Sequence, residues 1–484
     1  MKIPVLKPRH AVGSALVVGL VIATILGWAL ASYLMLAQSH HRSMFRSQTW
    51  GESLALSEAG VEEALAFVNK FVGTPYELST WTNNPETEGW TRSGNVFSKS
   101  TTVDPDMGGY TVYVTNLLDA YNLPNKPAIY SEGSAVWNLS EPTLHPLEVS
   151  LGQPYYAAAG VQAGTGQTAP LVRRVYVQTL RTPLFPVAMA ALGQINLKGN
   201  NIATDSFDSS DPNYSINGQY PLGVPSKIKD NGSVITLSTL IDSLSVGNAD
   251  IKGMVKTGPN GTATIGANGS VGNSAWVDGG NKGIQPGYSA NDVNIDFPNA
   301  VLPSVSWSAL PAATAQTING VTYDRVFYTS GNYSVSTLSG KIYIATNAQV
   351  ILNVSGNVSL SGQDRVDISA ANASLTIYMA GSSFTTSGSA GFNNLSKQAA
   401  NFALYGLPTC TSISLGGNAA FSGTIYAPEA DFSLGGGGNS TYDFVGSSVT
   451  KTVTMNGHFN FHYDESLAKV GPSRGYVPTS WVEK

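Results

Sequence analysis

The sequence predicts a mainly β protein carried on one long N-terminal transmembrane α-helix, with a small antiparallel β region followed by a parallel β-helix (solenoid) C-terminal domain. Three observations lead there. Residues 11–39 contain no charged side chain. Charged residues are only 12% of the chain while glycine reaches 51, and Ser, Thr and Asn fill the polar positions, a mixture suited to strands and tight turns. A five-residue pattern of apolar, polar, apolar, any residue and Gly recurs from about residue 187 onward. At 484 residues there is room for about two or three domains. The net charge of -5 comes without a dense basic patch, which excludes a nucleic-acid surface. The lone Cys410 cannot form an internal disulfide and reads as a small buried residue.

Residues 1–10 form a short basic leader with Lys2, Lys7 and Arg9, read as cytoplasmic because everything beyond the membrane looks exported. Residues 11–38 are the transmembrane helix. About 20 apolar residues suffice to cross the hydrocarbon core, and the run is longer than the roughly 7–15 residues of a signal-peptide apolar region. Arg42 and Arg46 follow it, so the positive-inside bias is modest. Residues 39–75 continue the helix outside the membrane, with Leu54, Val61, Leu65 and Val68 on one face and stop signals at Gly73 and Pro75. The pieces make either one helix of about 60 residues, about 90 Å long, or two helices meeting near Gly51. The apolar stripe needs a packing partner in either case.

The segments GSALVVGLVIATILGWALASYLML and SLALSEAGVEEALAFV resemble the N-terminal region of PilX-type type IV pilus assembly proteins over roughly residues 9–71. The second signature is carried by Ser57, Glu58, Ala59, Gly60, Val61, Glu62, Glu63, Ala64 and Leu65. The resemblance implies a pilin-like helix whose exported half packs on a sheet. It also implies prepilin-peptidase cleavage between Gly13 and Ser14, and packing against other pilins or pilus assembly proteins. Val18 stands where major pilins carry a glutamate, which points to a minor or membrane-retained role. An uncleaved single-pass anchor is the alternative.

Residues 76–186 read as a pilin-like antiparallel β region. Tyr110 to Thr115 and Val172 to Leu180 alternate, Gly108-Gly109 reads as a turn, and residues 119–128 read as a loop. The two prolines in residues 181–186 argue against a central strand and place a boundary there.

Residues 187–465 carry the pattern, at Ile195, Val358, Ile413, Phe432 and Val453, each the first of five. The last three begin 19 and 21 residues apart, near the length of one turn of a parallel β-helix. Asn-Gly pairs at 217, 231, 260, 268, 319 and 456 suit its turns, although they also suit hairpins of a β-sandwich, the rival fold. Residues 419–428 resemble uncharacterised β-helical C-terminal domains of pilus-associated envelope proteins, which implies fold and location but no chemistry. Residues 466–484, with Pro472 and Pro478, read as an extended, partly disordered tail.

Candidate chemistry is sparse. His458, Asn460, His462 and Asp464 alternate with Phe459, Phe461 and Tyr463, so a strand puts the polar four on one face. Two histidines four residues apart on a strand lie about 13 Å apart, too far to share a metal, and a solvent-facing edge is the simpler reading. Asp205, Asp208, Asp211 and Asn213 form an oxygen-rich loop without the register of a calcium motif. Glu429 and Asp431 share a strand face, and Asp364 and Asp367 straddle Arg365 in an apparent turn, but neither pair has a partner set for glycan cleavage. No catalytic, cofactor-binding or metal site is assigned, no cofactor is expected, and the chain is read as not an enzyme. The expected role is structural or adhesive, in the cytoplasmic membrane with the body outside, at the cell surface or in a pilus. The expected partners are the lipid bilayer, pilus components and prepilin peptidase, and an extracellular protein or glycan. A surface adhesin unrelated to pili and a β-helical carbohydrate-active enzyme are the alternatives.

Overall fold

Helix α1 runs unbroken over Val12–Asn69. Gly51 lies inside it with open space where a Cβ would stand, and the helical assignment continues through it, so the segment is one helix and not two. This is a computed structural model, and it describes residues 12–70, 89–104, 108–117, 126–136, 170–199, 202–370, 372–416, 420–436, 442–469 and 471–484. The basic leader, the stop signals Gly73 and Pro75, and most of the expected loop 119–128 lie outside the described residues.

The second half of α1 sits on an antiparallel sheet. Its strands are β1 (Thr91–Ser93), β2 (Val96–Asp104), β3 (Gly108–Thr115), β4 (Ala128–Ala135) and β5 (Leu171–Pro183), in that order. A sixth strand, Ser473–Glu483, pairs antiparallel with β5. Alternation aims Phe97, Val112, Val114, Ile129, Val175 and Val177 at Val61, Ala64 and Val68 of the helix, forming one closed core.

Two expectations change here and one is met. Gly108 and Gly109 open β3 instead of making a turn. A Cβ at Gly109 would lie 2.3 Å from the Thr101 carbonyl oxygen and one at Gly108 1.9 Å from that of Ser134, so glycine lets the strands close up. Pro183 pairs on one side only, opposite Ser473, in keeping with the expectation that the prolines do not sit in a central strand. The β4 partner stops at Gln178, so the proline has a strand on one side only and its missing N–H costs no second ladder bond. The expected tail, 466–484, supplies the sheet's edge strand.

Between β5 and that strand the pairing is parallel, apart from the hairpin Gln316–Ile318 with Val321–Tyr323 and two isolated bridges among the described residues. Asn319 and Gly320 turn the hairpin with φ of 49° and 78°. The parallel pairing is not that of a sandwich of hairpins. One ladder joins Ser308–Ala309, Gly331–Val335, Gln349–Val354, Ser374–Met379, Phe402–Gly406, Phe421–Gly436 and Tyr442–Gly457. It then passes to Met189–Ala191, Val234–Thr236, Val255–Lys256 and Ser289–Ala290. A second ladder collects the five-residue pattern: Val358, Phe384, Ile413, Phe432, Val453, Ile195 and Leu244 follow one another in register. A third stretch stacks Arg325–Phe327, Lys341–Ile344, Arg365–Ile368 and Gly391–Asn394.

Spatial order therefore departs from chain order. The last parallel strands lie on the first: Ser448 opposes Met189, Val453 opposes Ile195 and Phe461 opposes Thr204. Residues 291–307 must then connect opposite ends of the first ladder, a rise of about 48 Å at roughly 4.8 Å per strand, and an extended run of that length reaches about 56 Å at roughly 3.3 Å per residue. They do so as a strap: Val293, Phe297 and Ala300 cluster with Tyr405 and Tyr426, and the Tyr426 hydroxyl donates to the Pro298 carbonyl at 2.6 Å. Inside, the parallel register stacks Phe421 on Phe444 and Phe444 on Phe461, and ring contacts between strands that are not register partners extend the stack. Phe384, Phe392, Phe402, Phe421, Phe444 and Phe461 form a row with successive ring centroids 4.2–5.5 Å apart.

Candidate functional site: a bare helix, its seat and a buried histidine

Helix α1 has two unlike halves. From Leu16 to Leu36 its large apolar side chains stand open, Trp28 being 78% exposed, and the most apolar stretch, long enough to cross a membrane, is wholly uncovered. Val18 is among these outward side chains. Gly13 and Ser14 lie in the helix's first turn.

The other half is shaped for close approach. Ser53 and Ser57 are fully buried, and a Cβ on Gly133 of β4 would lie 2.2 Å from the Ser53 carbonyl oxygen and 2.4 Å from the Ser57 nitrogen. A Cβ on Gly60 would come within 2.3 Å of Ser131 Oγ. In the motif, Ser57 and Gly60 thus set the helix–sheet distance, while Glu58, Ala59 and Glu62 face outward. Glu63 spans the gap: it accepts from Lys99 Nζ at 2.5 Å and from the Tyr110 hydroxyl at 2.7 Å. Burial pushes the Glu63 carboxyl up, but the hydrogen bonds from Lys99 and Tyr110 outweigh it and hold it below the usual range.

A dense polar constellation lies where the last parallel strands meet the first. His462 Nδ1 is 2.6 Å from Asp205 Oδ1, and Nε2 is 3.4 Å from Asp443 Oδ1. The Tyr220 ring stacks on the imidazole with centroids 3.6 Å apart, and its hydroxyl donates to Asp205 Oδ2 at 2.8 Å. Burial lowers the imidazole's proton affinity, but the bonds to Asp205 and Asp443 and their charges prevail, raising its pKa to about 9. The bond from His462 holds Asp443 below its ordinary value, against the effect of burial.

The expected solvent-facing edge is corrected here. His462 and Asp464 are buried, because strand Phe459–Asp464 lies between two parallel partners and the chain around Tyr220 folds over its polar face. Asp464 Oδ1 accepts from the Ser209 and Ser466 amides; burial, despite those bonds, pushes its carboxyl up.

The oxygen-rich loop separates instead of gathering. Asp205 faces His462, Asp208 pairs with Lys469, and Asp211 accepts from the Asn213 amide. No group of three or more His, Cys, Asp or Glu is placed to hold a metal among the described residues. Glu429 meets Asn299 of the strap, and Asp431 accepts from the Thr452 hydroxyl. Arg365 and Asp367 lie in strand Arg365–Ile368, not a turn, with Asp367 buried against the Tyr323 hydroxyl. Asp364 accepts from the Gly340 and Ser361 amides. Cys410 is buried, and burial pushes its thiol up to about 11. Tyr220 and Asp443 gave no local signal, since the cluster joins residues as far as 257 positions apart.

Residues 307–470 match the family described as a domain of unknown function, DUF7305. No curated protein matches the chain. Among solved structures, the competence-associated pilin ComZ from Thermus thermophilus aligns over 90% of this chain and 97% of that chain, at 10% identity and a TM-score of 0.27. A likeness at that score carries no argument.

Proposed function

We propose that this chain is a pilin-like, type IV pilus-related envelope protein that displays a parallel β-helix outside the cytoplasmic membrane. The division of α1 carries the reading. Its first half is a bare apolar rod long enough to span a bilayer, and its second half is seated on the antiparallel sheet. The sheet then acts as a carrier. β5 leads into the stacked strands and its neighbour Ser473–Glu483 returns from them, so the body is an insertion held at both ends by one pair of strands. The in-register ladder of the five-residue pattern supports the β-helix part, because each turn of such a helix buries its apolar side chains against the next. The resemblance of residues 9–71 to PilX-type proteins supports the pilus part. The role is structural or adhesive, with no reaction of its own.

The mature N-terminus tests this. Membranes from cells with and without prepilin peptidase are extracted with carbonate, and the retained protein is sequenced by mass spectrometry. A chain beginning at Ser14 only when the peptidase is present is the expected result. An intact leader in both strains favours an anchored adhesin unrelated to pili, and release of full-length chain by carbonate overturns the membrane reading altogether.

A further inference from the structure

A cleft of about 370 Å³ lies beside the His462 cluster, between the loop around Asn217–Leu222 and strands of the parallel body. That volume is within the range of about 300–1,000 Å³ usual for small-ligand sites. Its polar walls are Asn217, Gln219, Asn393, Lys397 and Asp443; Ile216 and Leu222, the latter 75% exposed, form an apolar lip.

The polar groups are held and yet uncommitted. His462 and Asn460 both address Asp443 Oδ1, which leaves Oδ2 without a hydrogen bond among the described residues. Lys397 makes no close ion pair among them, although its charge is felt by Asp443, and its backbone lies in the left-handed region at φ 54°, as does that of Asn217 at 52°. The loop is pinned over the cleft: Tyr220 is bound to Asp205 and His462, and Gln219 Nε2 donates to the Ser396 carbonyl at 3.0 Å.

We propose that this cleft binds a short saccharide. A carboxylate oxygen accepts from ring hydroxyls, Lys397 donates to them, and side-chain amides do both, which matches groups that are donor and acceptor at once. The apolar lip receives the C–H face of a pyranose. The opposite charges of Asp443 and Lys397 cancel locally, so a neutral sugar is served better than a polyanion. The inference deepens the adhesive part of the proposed function and rests on the body being displayed outside the membrane.

The full-length chain in detergent is passed over immobilised galactose-, mannose- and N-acetylglucosamine-terminated oligosaccharides. Retention on at least one, competed by the free disaccharide, is expected. Asn393→Ala and Lys397→Ala, both at exposed side chains outside the buried cluster, should each weaken it about tenfold, the effect of losing one hydrogen bond. Asp443→Asn should weaken it further. No retention on any probe, binding unchanged in the exposed-site variants, or binding of free zwitterionic amino acids in place of sugars overturns the proposal. Because this assay is independent of processing, its failure leaves the Ser14 result standing, and the reverse also holds.

Discussion

Where α1 meets β4 the contact is made by Ser53, Ser57, Gly60, Ser131 and Gly133; inside the parallel body it is made by a row of phenylalanines from Phe384 to Phe461. Both bury apolar surface, but by opposite means. The helix seat is so close that backbone nearly touches backbone, and neighbouring Val61, Ala64 and Val68 supply its apolar area. The body keeps its walls apart and fills the interior with rings. The first arrangement is sensitive to an added atom, the second to a removed one. A third region differs from both: at the junction of the last strands with the first, polar pairs from His462, Glu465 and Lys469 to Asp205, Lys229 and Asp208 carry much of the contact.

The largest effect is expected from emptying the body. Phe444 is 1% exposed between Phe421 and Phe461, so Phe444→Ala should cost about 4 kcal/mol. Denaturant unfolding followed by tyrosine and tryptophan fluorescence measures this; a cost below that of a surface substitution would mean the row is not packed. Next comes filling the seat. Gly133→Ala places a methyl against backbone atoms that cannot rotate away and should cost about 3 kcal/mol, whereas Gly51→Ala, with open space around it, should cost nothing. Equal melting temperatures for the two variants would refute the close-contact reading.

The smallest expected effect is at the junction. His462 has a folded pKa of about 9, above its ordinary value of 6.5. A raised pKa stabilises the fold fully below about pH 6.5, and that contribution fades as pH climbs through about 9. Thermal unfolding between those limits should show a loss on the order of 2 kcal/mol that disappears in His462→Gln. A wild-type profile as flat as the variant's would show that the clamp does not matter.

Some of this architecture is legible in one dimension. The long uncharged run of residues 11–39 and the stripe of Leu54, Val61, Leu65 and Val68 announce the helix and its buried face, because helical period is local. The pattern at Ile413, Phe432 and Val453 announces strands that stack, because a repeat of that length returns the chain to the same position. Other features are hidden. Ser53 and Ser57 look like polar surface until Gly133 is seen opposite them. His462 and Asp464 look solvent-facing because nothing local says that the chain around Tyr220 will cover them.

Sequence alone determined the elements: helix period, strand alternation, turn residues at Asn319-Gly320 and an apolar stretch suited to a bilayer all act over a few residues. Tertiary structure alone decided the order in which the strands stack, the return of Ser473–Glu483 to β5, the strap over residues 291–307 and the meeting of His462 with Asp205 and Asp443. The physical reason is that strand pairing depends on complementary edges brought together in space. Any two strands of matching register can supply such edges, so which ones meet is settled only when the whole chain is packed.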